Sequence, residues 1–307
     1  MNTEFVDVQS PPYCALLEDE ACNILQFVAT ALAAGQRCAL VTLVEIGGSA
    51  ARSLGAQMAV TQHGAYCGYV SGGCVEAVVA QEAMLAIAAN RDRQVRLGKG
   101  SAYFDIVLPC GSSLLLSIHV IKQPEPIQQV LADIDRRCSV ALAYDPAASR
   151  LTAIAIASDA PLCSGWVNDV FVTVYRPALR LLLCGTGLEA TRLGQVACAL
   201  GIETVNGLDQ QPVDRFSAIV LLYHDLDRET RLLGDALRSE AFYIGCLGSQ
   251  KTHQLRSKRL RDQGFAEAKI AAIRAPIGLF GPTRDARALA VSILAEILSL
   301  RNAPVQR

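Results

Sequence analysis

From Arg180 to Gly201 the chain reads as an apolar strand, RLLLC, then Gly185-Thr186-Gly187-Leu188-Glu189-Ala190, then a helix to Leu200 ended by Gly201. Nothing else in the sequence narrows the fold as far. Strand, G-x-G-x-x-A and helix in succession make the first unit of a dinucleotide-binding fold, with the glycines at a turn that can cradle a phosphate. Further strands are expected at Ala218–Tyr223 and Ala241–Cys246, with a short one near Ala275–Leu279. Helices are expected at Asp227–Ser239, Gln250–Gln263 and Asp285–Leu300. Such alternation implies a Rossmann-like, doubly wound parallel sheet that binds ligands at the carboxyl ends of its strands. The acidic residue that usually holds a ribose about 20 positions on is poorly represented. Asn206 and Asp209 are the candidates, which argues against ordinary tight NAD binding.

A second informative segment is Ile46–Ala77, IGGSAARSLGAQMAVTQHGAYCGYVSGGCVEA. Its two glycine-rich turns, Gly47-Gly48-Ser49 and Ser71-Gly72-Gly73, let backbone amides approach a ligand closely. Around it the pattern predicts an α/β domain with a mixed sheet. Helices are expected at Glu18–Ala34, Cys74–Asn90 and Pro126–Arg137. Strands are expected at Cys38–Val44, Gln57–Thr61, Ala65–Val70, Ala102–Leu108 and Leu114–Ile121. A meander of Val140–Tyr144, Leu151–Ala157 and Val170–Tyr175 closes this domain. The boundary falls at Arg176-Pro177, giving domains 1–176 and 177–307.

Composition excludes several classes. With 307 residues, 51% hydrophobic and 19% charged, the chain can build two compact cores. A net charge of −1 gives no general pull toward nucleic acid or a membrane. The opening MNTEFVDVQSPP lacks the regions of a signal peptide, and no uninterrupted apolar run reaches the length of a membrane span. A cytoplasmic location is expected. The eleven cysteines include no Cys-x-x-Cys pair, so neither a zinc site nor a secreted disulfide framework is expected. Cys22, Cys38, Cys184 and Cys198 lie in apolar runs and read as core.

The remaining candidates each carry two readings. Cys74, at an expected helix N-terminus, is either a sulfur nucleophile, carrier or metal ligand, or a small buried residue. Glu76 in the next turn either caps the helix or recognises a ligand. Arg52 suits a phosphate and has no obvious acidic partner; otherwise it is a solvated side chain. Cys110 in the turn Pro109-Cys110-Gly111 is an exposed sulfur or a hairpin filler. In the second half, His224-Asp225 ends a strand at the ligand edge. After another strand come Gly248 and Ser249, which can cap the next helix, and Lys251 suits a phosphate in its first turn.

GGSAARSLGAQM, GYVSGGCVEA, PCGS, FYIGCLGS and API-GL…AVSILAEIL, in that order, resemble the XdhC/CoxI family over nearly the whole chain. The resemblance implies an accessory protein of molybdenum hydroxylases such as xanthine dehydrogenase and aldehyde oxidoreductase. Such proteins bind the molybdenum–pterin cofactor, as molybdopterin or its dinucleotide form. They aid its sulfuration with a cysteine desulfurase and deliver it to the apo molybdenum hydroxylase. It also implies an N-terminal XdhC/CoxI domain, a C-terminal Rossmann domain and a homodimer, with Cys74 or Cys110 handling sulfur. The chain departs from the family at Ala51, at Ser112, at Asp209-Gln210-Gln211 and at Gly281–Ala286. An NAD(P)-dependent oxidoreductase built on the C-terminal domain is the rival reading, and a degenerate scaffold for the apo-hydroxylase is a third.

Overall fold

The computed structural model describes residues 11–73, 75–98, 113–157, 163–208, 212–223, 225–281 and 283–301. Two compact units result, Met1–Pro177 and Ala178–Arg307.

The first unit contains β1 (Tyr13–Leu16), α1 (Ala21–Ala33), β2 (Cys38–Gly47), β3 (Gln57–Thr61), β4 (Ala65–Gly68), α2 (Glu76–Ala89), β5 (Arg93–Gly98), β6 (Ser113–Val120), α3 (Glu125–Asp135), β7 (Val140–Asp145), β8 (Arg150–Ala155), β9 (Gly165–Val167) and β10 (Val170–Tyr175). Six strands form a mixed sheet in the order β1-β4-β3-β2-β6-β5, in which β1 runs parallel to β4. Both faces of that sheet are covered, which is why β2 and β3 read as continuous apolar runs. Val41, Met58, Leu116 and Ile118 pack with Val79, Ala83 and Ile87 of α2. On the other face Leu40 and Ala59 share a core with Leu25 and Val28 of α1, Ile127 of α3, and Leu142 and Tyr175 of a second sheet. That sheet has the order β8-β7-β10-β9.

Several elements differ from expectation. The last strands are not a meander, because β10 pairs with β7 and not with β8. Strand β5 was not anticipated: RQVRLG alternates Val95 and Leu97, buried, with residues more open to solvent, as an edge strand does. The strands β1 and β9 were not anticipated either. The strand expected at Ala102–Leu108 lies outside the described residues. Helix α2 starts at Glu76, with Val75 as its N-cap, two residues later than expected.

The second unit contains β11 (Arg180–Cys184), α4 (Leu188–Ala199), β12 (Glu203–Asn206), β13 (Ser217–Leu221), α5 (Leu226–Arg238), β14 (Tyr243–Cys246), α6 (Gln250–Asp262), α7 (Glu267–Ala271) and α8 (Ala286–Arg301). Its sheet is parallel throughout, in the order β12-β11-β13-β14. Helices α4 and α8 cover one face, while Leu233 and Leu237 of α5 and Leu260 of α6 cover the other. This is a doubly wound Rossmann-like layer, with its switch point between β11 and β13. Ala275–Leu279 is no strand; only a single bridge, Gly245 to Arg274, precedes it. No helix among the described residues is long and apolar enough to cross a membrane.

Candidate functional site

In the first unit the second glycine-rich turn lies against Ala51, just after the first. Strand β2 ends at Gly47, paired with Ser113, where a Cβ would come within 2.4 Å of Ser113 Oγ. Only glycine leaves that pairing undisturbed. Gly48 follows at φ 86°, and then Ser49. The second turn leaves β4 through Tyr69 and Val70. Gly72 and Gly73 are both exposed. A Cβ at Gly72 would meet only that of Ala51, 3.8 Å away, and one at Gly73 (φ 99°) would meet nothing within 4 Å.

Glu76 lies beneath the second turn and is 1% exposed. Its Oε1 accepts from the Val70 N–H at 3.2 Å, the Ser71 N–H at 2.9 Å and the Ser71 hydroxyl at 2.9 Å. Its Oε2 accepts from the Val75 N–H at 3.1 Å. The N–H groups that flank Gly72 and Gly73, of Val70, Ser71 and Val75, thus face the chain's own carboxylate, placed in the first turn of α2 where the dipole favours it. Arg52 is also engaged. Its Nη1 is 3.0 Å from Asp19 Oδ2 and its Nη2 donates to the Asp19 carbonyl at 3.2 Å, so the acidic partner missing from the local sequence comes from 33 residues away. Cys74 and Cys110 lie outside the described residues.

One thiol the sequence did not single out stands close by. Cys14 on β1 is exposed, with Sγ 3.7 Å from the Tyr69 hydroxyl. That contact pushes the Tyr69 phenol up to about 12. Cys198, expected in the core, is exposed, whereas Cys38 and Cys184 are buried and Cys22 is half-buried. Burial pushes the Cys22 and Cys38 thiols up to about 11. No cluster of three metal-ligating side chains occurs among the described residues.

In the second unit the carboxyl edge is crowded. A Cβ at Gly185 would lie 3.0 Å from both Cβ and O of Leu222, so this glycine serves the close approach of β11 to the end of β13. Gly187 is the N-cap of α4 and makes no side-chain cap bond. A Cβ there would lie 3.0 Å from Glu189 Oε2, so a carboxylate already leans on the turn expected to cradle a phosphate. Asp225 caps α5 by accepting from the Asp227 N–H at 2.8 Å. His224 lies outside the described residues. At α6, Gly248 has φ 130° and Ser249 caps the helix by accepting from the Thr252 N–H at 3.2 Å. Helix α6 has no acidic residue in its first turn, and Lys251 there is exposed.

Under that turn lies an ion pair that no local motif announces. Arg256 and Glu229 are each 1% exposed, with Arg256 Nη2 2.8 Å from Glu229 Oε1. The same nitrogen donates to the Leu247 carbonyl at 2.7 Å, which ties the β14–α6 turn to the start of α5. Burial, partly opposed by Arg256 and reinforced by Glu229, holds the adjacent Cys246 thiol well above its ordinary value, so it stays protonated. The partners are 27 residues apart, and only the fold brings them together.

Known proteins align with both units. The XdhC and CoxI family model matches residues 31–98, and the XdhC Rossmann domain model matches residues 181–297. The molybdenum cofactor insertion chaperone PaoD of Escherichia coli is 43% identical over 94% of this chain and 92% of its own. The uncharacterized protein YqeB of the same organism is 29% identical over 87% of this chain, which spans 44% of YqeB. A crystal structure described as a xanthine dehydrogenase (BH1974) from Bacillus halodurans superposes with a TM-score of 0.71 at 19% identity, covering 92% of this chain and 96% of that one.

Proposed function

The chain belongs to the XdhC and CoxI family, and on that premise we propose that it binds a molybdenum–pterin cofactor as cargo and escorts it into a molybdenum hydroxylase. The observation that carries this reading is the one that spans both units, the likeness to a molybdenum cofactor insertion chaperone. The chain acts as a carrier and not as a turnover catalyst. It receives a cysteine desulfurase for sulfuration and works as a homodimer.

The residues fit such a cargo unevenly. A pterin is a flat heterocycle with an anionic tail. Gly48, Ser49, Gly72 and Gly73 offer neighbouring turns with little side-chain bulk, which suits a ring lying on backbone. The tail is less well served there, since Glu76 holds the amides and Asp19 shares Arg52. Taken by itself, the second unit offers a phosphate the turn at Gly248, Ser249 and Lys251, because no carboxylate occupies the first turn of α6. Gly185, Gly187 and Asp225 serve packing and capping.

Incubation of the purified chain with molybdenum–pterin cofactor, followed by gel filtration, tests the proposal. Pterin fluorescence and molybdenum should elute with the protein; no retention at micromolar concentration would contradict it. Comparing Cys74→Ala with Cys110→Ala, scored by sulfuration of the delivered cofactor, identifies the sulfur that matters. Calorimetric titration with NAD(P) separates the rival reading, which saturable submillimolar binding would favour.

A further inference from the structure

Between the two sheets of the first unit, the inward faces of β2, β3, β6, β7 and β10 carry Thr42, Gln57, Ser117, His119, Tyr144 and Thr173. A layer between packed sheets is ordinarily apolar, because each buried polar group must find a partner. These six side chains line a cavity of about 10 Å³ together with Leu40, Leu142, Leu151 and Phe171. That volume admits one water molecule.

The hydrogen bonds on the walls are directional. Gln57 Oε1 accepts from the Tyr175 hydroxyl at 2.6 Å, and Gln57 Nε2 donates to Thr42 Oγ1 at 3.2 Å. His119 Nδ1 is 2.8 Å from Asp92 Oδ2, the Tyr144 hydroxyl donates to the same oxygen at 2.9 Å, and the Val120 N–H donates to Oδ1 at 2.9 Å. Burial would raise the Asp92 carboxyl, but these bonds and the His119 ring hold it below its ordinary value. An ionised carboxylate only accepts, so Nδ1 of His119 carries a proton. With Nδ1 committed to Asp92, Nε2 is the ring nitrogen left for a further bond at the cavity. The Ser117 hydroxyl, beside Tyr144 on the same strand face as His119, is buried and makes no hydrogen bond of good geometry.

We propose that this inter-sheet cavity is a binding site for a single ordered water, which bonds Nε2 of His119 and the Ser117 hydroxyl. The water completes a polar seam that joins the six-stranded sheet to the β7–β10 layer. It gives a partner to the Ser117 hydroxyl, which the hydrogen bonds of the walls leave over.

A high-resolution crystal structure of the full chain tests this. The native chain should show a water peak within hydrogen-bonding distance of Ser117 and His119. In Ser117→Val the added methyls fill the space and the peak should be lost. An empty native cavity overturns the proposal. Nuclear Overhauser effects from a long-lived water to the His119 ring give the same answer in the native chain, should the variant fail to fold; their absence also overturns it.

Discussion

The turn at Ser71–Val75 and the turn that opens α6 both follow a strand, both contain glycine, and both run into a helix. In the first, the chain supplies its own anion: the Glu76 carboxylate takes three backbone N–H groups and a hydroxyl. In the second, the first helical turn carries no carboxylate, and the buried charge beneath it, Arg256, is neutralised by Glu229 from another helix. A glycine-rich turn before a helix is an anion site only while no carboxylate of the protein reaches it first. By that criterion α2 is filled, α4 is shaded by Glu189, α5 is capped by Asp225, and α6, capped by the neutral Ser249, is open.

The largest effect should come from the buried pair under the open turn. Arg256→Ala leaves Glu229 charged and unpartnered, a loss of about 3–5 kcal/mol, read as a lowered urea midpoint. Arg256→Met combined with Glu229→Leu should recover most of it; a double variant as weak as the single would mean the pair does more than balance charge. Next comes the filled turn. Glu76→Ala strips a charged acceptor from four donors and should cost about 3 kcal/mol. Added phosphate should stabilise the variant more than the native chain, since the variant has the first-unit amides vacant as well as the turn of α6. Rescue of both alike would erase the contrast between the turns.

Lys251→Ala should leave stability within about 0.5 kcal/mol and weaken cofactor retention roughly tenfold, or about 1.4 kcal/mol. Arg52→Ala, whose guanidinium is already shared with Asp19, should weaken retention less. The reverse order would move the phosphate to the first unit. The smallest effect is acid sensitivity in the first unit. The Asp92 pKa is lowered on folding, so its contribution is present above the unfolded value of about 3.9. That contribution is lost as pH falls through the folded value. Asp92→Asn should flatten this acid limb in thermal unfolding measured against pH.

The parts of the fold legible in the sequence were those set by local pattern. RLLLC-GTGLEA announces strand, turn and helix within a dozen residues, and Ser249 announces its cap. What stayed hidden depends on contacts between distant residues. Nothing near Arg52 points to Asp19, nothing near Glu229 points to Arg256, and the pairing of β10 with β7 spans the intervening strands. Glu76 was ambiguous for a different reason. A carboxylate in a first helical turn has the same sequence signature whether it faces solvent, ligand or its own preceding turn, and only its burial decides. The short edge strands β1 and β9 carry little periodicity to read.

The most direct test of the account is a co-elution measurement on the native chain and two variants, Lys251→Ala and Glu76→Gln. Each is incubated with molybdenum–pterin cofactor and scored for pterin and molybdenum in the protein peak. The account predicts retention by the native chain, near-native retention by Glu76→Gln, whose amide still fills its turn, and a roughly tenfold weaker hold by Lys251→Ala. Absence of cofactor from the native peak, or loss confined to Glu76→Gln, would contradict it.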